Sequence, residues 1–226
     1  MFQCLIEEEM MDRNEISQNS RSDDLLWGHP ITAIQINSDP IDEWFKTIDL
    51  DELCKEEFTF SKCKTSQGVE ENNHVDYNVV NDLIFDEFSI YLESLGPKEM
   101  LKSVLEVPWI NIYEEHGFQD AHDHQGSKFS DFAWCYVHQA GDSHIVFKNK
   151  HASNSEVCLG EFLQAYDTSV NYVPTIKGKG TVYFFPAHIY HAVSPNLSTT
   201  PRITISGNIR IKGTGVLRVE DVNLKG

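Results

Sequence analysis

Long apolar runs are missing from this sequence. No stretch approaches the ~18 residues that a bilayer-spanning helix needs, and Met1-Phe-Gln-Cys-Leu-Ile6 runs into three glutamates where a signal peptide would carry its apolar core. A soluble, cytoplasmic protein without a membrane partner is expected. Cysteine is also sparse. The five residues, at 4, 54, 63, 135 and 158, include no Cys-x-x-Cys pair and leave one thiol over in any full bridging scheme, which argues against a secreted disulfide framework. Cations are outnumbered, with 18 Lys and Arg against 35 Asp and Glu and a formal net charge of −17. Such a chain repels a phosphate backbone, because nucleic-acid affinity rests on Lys and Arg displacing counterions. No nucleic-acid partner is expected, and the acidity is read as solubility.

What is present is an ordinary globular composition, 40% hydrophobic and 11% aromatic, in 226 residues. That is room for one domain with a sizeable core. Residues 1–25 are polar without a sustained period and read as a tail, so residues 26–226 are taken as the single domain. Ile31 to Asn37 has the β-branched character of a strand. Asp39-Pro40 reads as a helix start, with Asp as N-cap and Pro at the first helical position, and Ile41, Trp44, Phe45 and Ile48 follow at helical spacing. The stretch 58–73 is polar and reads as an exposed loop. Val80, Leu83, Ile84, Phe88, Tyr91 and Leu95 then define one face of an amphipathic helix closed by Gly96-Pro97. Residues 26–103 are therefore expected to give a strand and buttressing helices. From 104 to 212 the chain turns to short β-rich runs, at 104–113, 130–138, 143–148, 156–158, 180–185 and 202–211, as in a sandwich or barrel.

The chemistry-bearing residues fall in the second half. In a strand, alternate side chains share a face, so His122 and His124 can point together while Asp123 points away. A third ligand from a remote segment would close one triangular face of a metal and leave the opposite positions open. His191 is the candidate for it, and His188 its rival in the same short segment. His116, His138, His144 and His151 have no comparable partners and read as surface or hydrogen-bonded residues. Arg202 and Thr204 share one face of the last β-run and can converge on an anion. Asn111 and Tyr113 share a face of the run before His122 and are candidate further donors, or else core.

The order of these pieces resembles the iron(II)- and 2-oxoglutarate-dependent dioxygenase superfamily, in its prolyl-hydroxylase-like branch. The matching segments are Trp109-Ile-Asn-Ile-Tyr113, His122-Asp-His124, Gly180-Thr-Val-Tyr-Phe-Phe-Pro186, His191-Ala-Val193 and Arg202-Ile-Thr204. The resemblance implies a mainly β fold with flanking helices, a double-stranded β-helix of the jelly-roll, cupin-like kind. It implies Fe(II) at His122, His124 and His191, which would be both metal-binding and catalytic. It also implies 2-oxoglutarate as co-substrate at Arg202 and Thr204, with Tyr113 and Asn111 as further contacts, and ascorbate as a reductant. It favours His191 over His188, because the family's distal histidine is followed by a Val-containing strand start. The implied activity is hydroxylation of a protein side chain such as proline, or of a small metabolite, with conversion of 2-oxoglutarate to succinate. One departure stands out: the commoner triad has a carboxylate where this chain has His124, and Asp120 and Asp123 are the alternatives. Two other readings compete, a three-histidine cupin-like enzyme that does not use 2-oxoglutarate and a non-catalytic binding module. Arg202 discriminates the first of these, since a cupin would not need it. The loop 148–179, including Tyr166, Asp167 and Tyr172, is a candidate lid or mere connection.

Overall fold

The computed structural model describes residues 20–26, 28–57, 61–97, 101–125, 130–149 and 171–213. The proposed run 156–158, His151, Tyr166, Asp167 and residues 1–19 of the expected tail lie outside them. Thirteen strands and three α-helices occur among the described residues, and every strand pair is antiparallel.

Strands β1 (Arg21–Leu26) and β2 (His29–Gln35) form a hairpin, so the segment read as tail already holds most of a strand by Leu25. The polar, partly exposed side chains of β1 hide its strand character, because it is the outermost strand of its sheet. Helix α1 (Asp39–Phe45) follows, with Ser38 and not Asp39 at the N-cap position and Pro40 in its first turn. Its Trp44 donates Nε1–H to the Asp76 carbonyl at 2.7 Å. Helix α2 (Leu50–Leu53) is one turn, with the Asp49 side chain accepting from the Glu52 N–H.

The stretch expected as an exposed loop is more ordered. It holds part of a small ribbon, β3 (Glu56–Glu57) and β4 (Lys64–Thr65), and a 3-10 turn at Glu70–His74. Cys63, Thr65 and Ser66 are buried there. Polar composition misleads because the polar groups satisfy one another: Ser66 Oγ and Tyr77 Oη both donate to Asn72 Oδ1 at 2.7 Å, and Asn72 Nδ2 donates to the Pro108 carbonyl.

Helix α3 (Asn78–Ser94) buries Val80, Ile84, Phe88 and Tyr91 on one stripe, while Leu95 falls just past its end and is exposed. Phe88 meets the rings of Phe132 and Phe184 at 5.4 and 5.5 Å, and Tyr91 stacks on Phe184 and donates its hydroxyl to the Pro30 carbonyl. Burying side chains of this size contributes about 1.5–3 kcal/mol each, which fixes α3 against one face of the larger sheet.

The remaining strands are β5 (Leu101–Leu105), β6 (Trp109–Tyr113), β7 (Gln119–His122), β8 (Phe132–Gln139), β9 (Ile145–Lys148), β10 (Asn171–Tyr172), β11 (Thr181–Pro186), β12 (His191–Val193) and β13 (Arg202–Gly213). The expected run 104–113 is split, because residues 106–108 separate β5 from β6. The larger sheet has nine strands in the order β1-β2-β11-β8-β13-β6-β4-β3, with β5 also on β13, and the smaller sheet runs β10-β9-β12-β7. Residues before 103 thus supply strands at both edges of the large sheet and are more than a buttress. Among the described residues the sheets form an open jelly-roll sandwich and do not close into a barrel.

One face of the large sheet carries Ile110, Tyr136, Val182, Phe184, Ile205 and Ile209, under the helices. The other faces the small sheet, where Ala133, Val137, Tyr183 and Phe185 pack with Ile145 and Phe147. On that inner face β13 presents Arg202, Thr204, Ser206 and Asn208, all buried. The sandwich is therefore apolar at one end of its interior and polar at the other. Gly180 has φ +81, and a Cβ there would lie 2.5 Å from Gln35 Nε2, so glycine is required where the chain enters β11.

Candidate metal and anion site

His122 ends β7 and His191 opens β12, and the register sets them opposite each other across that strand pair. His124 lies beyond β7, so strand alternation does not bring it to His122. The chain turns after His122 instead. The Asp123 carboxylate accepts from the Gln125 N–H at 3.2 Å, and the His124 N–H donates to the Ala187 carbonyl at 2.8 Å. Ring centroids are 4.3 Å apart for His122 and His191, 5.1 Å for His124 and His191, and 5.5 Å for His122 and His124. One ligand nitrogen from each ring comes within 4.8 Å of the others.

The outer nitrogens decide which ones are free. Nδ1 of His122 faces the Asp120 carbonyl at 2.8 Å, and Nδ1 of His191 faces the Ile189 carbonyl at 3.0 Å. A carbonyl only accepts, so both Nδ1 atoms carry the proton. Nδ1 of His124 faces Asn208 Oδ1 at 2.6 Å, and the amide is oriented by Asn208 Nδ2 donating to Glu106 Oε2 at 3.1 Å. All three Nε2 atoms are thereby left with a lone pair toward the cluster, the arrangement in which outer partners aim histidines at a metal.

Burial also keeps the rings neutral. It is the largest influence on each, lowering His122, lowering His124 to about 4 and lowering His191 well below the usual histidine value. Mutual repulsion between the rings adds to the effect at His124 and His191. Neutral imidazoles at physiological pH are what a divalent cation requires.

Asp120 and Asp123 line the same cavity but do not join the cluster of converging ligand atoms. Asp120 is exposed and contributes its backbone carbonyl to His122. His188 packs edge-on against His29, with its Nε2 3.2 Å from His29 Nδ1, away from the cluster. His138 stacks on Phe45 at 3.7 Å and faces Asp42 at 3.3 Å.

The cavity beside the histidines has a volume of about 450 Å³, and Trp109, Asn111, Tyr113, Gln119 and Phe185 are among its walls. Arg202 and Thr204 are not in that lining. They continue the inner-face row of Ser206 and Asn208, which do line it, and Arg202 pairs across strands with Tyr113. Arg202 is 2% exposed, and Nη1 donates to the Ser143 carbonyl at 2.9 Å. Among the described residues its Nε and Nη2 find no partner, and neither does Thr204 Oγ1. A buried guanidinium with unsatisfied N–H groups is costly until an anion meets it. A carboxylate, which accepts two parallel N–H bonds from such a fork, fits that need.

Tyr113 and Asn111 are already engaged. The Tyr113 hydroxyl donates to Gln119 Oε1 at 2.8 Å, while Asn111 accepts from Thr65 Oγ1 at 2.8 Å and donates to Ser206 Oγ at 3.4 Å. Two residues beyond the sequence candidates thus belong to the site, Asn208 behind His124 and Gln119 on Tyr113. A signal for the first existed: Arg202-Ile-Thr-Ile-Ser-Gly-Asn208 alternates polar and nonpolar residues, and the polar row leads from Arg202 to Asn208.

No curated protein matches this sequence. Residues 107–208 match the profile of a family described as "Putative 2OG-Fe(II) oxygenase". Among solved structures, the chain is similar to SnoK, a non-heme alpha-ketoglutarate-dependent carbocyclase from nogalamycin biosynthesis. Identity is 12% over 79% of this chain and 78% of that one, with a TM-score of 0.54. It is also similar to HygX from Streptomyces hygroscopicus, solved with nickel and 2-oxoglutarate bound, at 12% identity over 87% of this chain and 89% of that one, TM-score 0.51. A 2OG-Fe(II) oxygenase family protein from Burkholderia pseudomallei is 13% identical over 58% of this chain, which spans about half, 55%, of that protein's length, TM-score 0.43. At these identities SnoK and HygX establish the fold, the double-stranded β-helix. The matched segment covers all three clustered histidines as well as Arg202, and in that segment the chain is similar to 2-oxoglutarate- and iron(II)-dependent oxygenases.

Proposed function

We propose that the protein hydroxylates an organic substrate, either a protein side chain such as proline or a small metabolite, with His122, His124 and His191 holding iron(II) and Arg202 binding 2-oxoglutarate. The observation that carries this over a cupin-like enzyme is the buried Arg202, with Nε and Nη2 unpaired among the described residues, on the strand that also supplies the partner of His124. Iron(II) and 2-oxoglutarate, when bound, supply the activation of dioxygen: one oxygen atom goes to succinate as CO2 leaves, and the other enters a substrate C–H bond.

The chain's own residues do the positioning. The Asp120 and Ile189 carbonyls and Asn208 hold three imidazoles with Nε2 inward. The guanidinium of Arg202, already anchored on the Ser143 carbonyl, presents its remaining N–H groups to a carboxylate, and Thr204 Oγ1 adds a hydroxyl on the same row. Phe185 and Phe147 form an apolar floor against His191, with ring centroids 4.7 and 6.2 Å away, and exclude water from that side.

The test is succinate formation from 2-oxoglutarate by anaerobically iron-loaded protein exposed to air with ascorbate. Slow turnover without a substrate is expected, and His191→Ala and Arg202→Ala should both abolish it. Turnover that survives Arg202→Ala would contradict the assignment of that residue.

A further inference from the structure

Resting on the reading of the three histidines as metal ligands, we infer that Asn208 and Glu106 act as a positioning pair that carries negative charge to His124. The three outer partners are not alike. His122 and His191 donate to neutral backbone carbonyls, whereas His124 donates to a side-chain amide that is itself bonded to a carboxylate. The relay is continuous: His124 Nδ1 to Asn208 Oδ1 at 2.6 Å, then Asn208 Nδ2 to Glu106 Oε2 at 3.1 Å.

Glu106 is held to this task twice, because its own N–H donates to the Asn208 carbonyl at 3.0 Å. Its other oxygen accepts from Arg210 Nε at 2.9 Å, which fixes the carboxylate plane. Asn208 is buried and the Glu106 side chain is about three-quarters covered, so solvent screens the charge only in part.

The physical effect follows from polarisation along a hydrogen-bonded chain. A carboxylate pulling on Nδ2–H increases the negative charge on the amide oxygen, and that oxygen in turn holds the Nδ1 proton more strongly. Electron density at Nε2 of His124 rises, making it the strongest donor of three otherwise neutral ligands. A cation bound by three imidazoles has no anion among them, and the relay supplies part of one from outside. Neither residue touches substrate or reacting atoms, so both are positioning residues.

The experiment is a titration of the full chain with cobalt(II), followed by visible absorption under anaerobic conditions, with thermal melts to verify folding. Wild type should bind one equivalent. Glu106→Gln, which keeps the shape and removes the charge, should weaken cobalt binding about tenfold, and Asn208→Ala at least as much, within the range typical of outer partners of metal ligands. Arg210→Gln leaves the carboxylate and removes its cation, so affinity should stay level or rise. Equal affinity for Glu106→Gln and wild type would overturn the inference. So would equal losses for Arg210→Gln and Glu106→Gln, since those would report a loosened network and not a charge. Wild type that takes up no cobalt would instead overturn the metal site itself.

Discussion

Replacing Arg202 by methionine should separate ligand binding from folding, because it leaves folding stability nearly unchanged while removing most of the ligand affinity. Among the described residues of the ligand-free protein Arg202 makes one hydrogen bond, to the Ser143 carbonyl, and leaves two nitrogens unpaired in a site where it is 2% exposed. Losing the Ser143 bond costs about 1–3 kcal/mol, while removing an uncompensated buried charge offsets that by a similar or larger amount. The ligand-free variant should therefore melt within about 5 °C of wild type, at about 2–4 °C per kcal/mol for a chain of this size. Binding behaves differently. Truncating one partner of a buried charge pair costs about 2–5 kcal/mol, a loss of about 30-fold or more in affinity for 2-oxoglutarate. Wild type loaded with nickel(II) and given 2-oxoglutarate at about 100 times its dissociation constant gains about 2.7 kcal/mol, a rise of about 5–10 °C. Arg202→Met should lose nearly all of that rise. A variant that keeps it, or a wild type that never shows it, would overturn the role of Arg202 in holding 2-oxoglutarate.

Other consequences are as direct. His124→Ala and His191→Ala should each abolish stoichiometric binding of nickel(II), measured by equilibrium dialysis, since two imidazoles alone hold a divalent ion weakly. In the metal-free protein His124 is pushed down to about 4 and His191 well below its usual value, so the unfolded chain binds more protons than the folded one below about pH 6.5. Stability should thus fall as pH drops from about 6.5 toward 4, and urea midpoints should track it; a flat profile would count against the burial of the triad. Gly207 faces Trp134, and an added Cβ would sit 2.6 Å from the indole ring, so Gly207→Ala should cost about 1–3 kcal/mol in urea denaturation. Phe88→Ala, at a fully buried ring between α3 and the large sheet, should cost about 3–5 kcal/mol in the same assay.

Legibility in the sequence followed the range of the physical signal. Helix α3 was readable because Val80, Ile84, Phe88 and Tyr91 repeat at its own period, and all four are buried. The clustering of the three histidines was readable because His122 and His124 sit close together in sequence and His191 follows a β-rich run, although the turn after His122, and not strand alternation, brings His124 round. Strand β1 was hidden because an edge strand need not bury alternate residues. The order within the polar stretch 58–73 was hidden because its Ser66 and Asn72 groups pair with each other and with Tyr77 in the interior, which composition alone does not reveal. The partnership of Glu106 with Asn208 joins residues about a hundred positions apart, and the pairing of β13 with β5 and β6, on either side of Glu106, places them together.

In the proposed function three neutral histidines and a buried arginine make one site for a metal and 2-oxoglutarate. It is tested most directly by anaerobic calorimetric titration of 2-oxoglutarate into iron(II)-loaded and iron-free protein. One equivalent should bind to the loaded protein and far more weakly to the iron-free protein, because the ligand meets the metal at one end and Arg202 at the other. No binding to loaded protein, or equal binding with and without iron, would contradict the account.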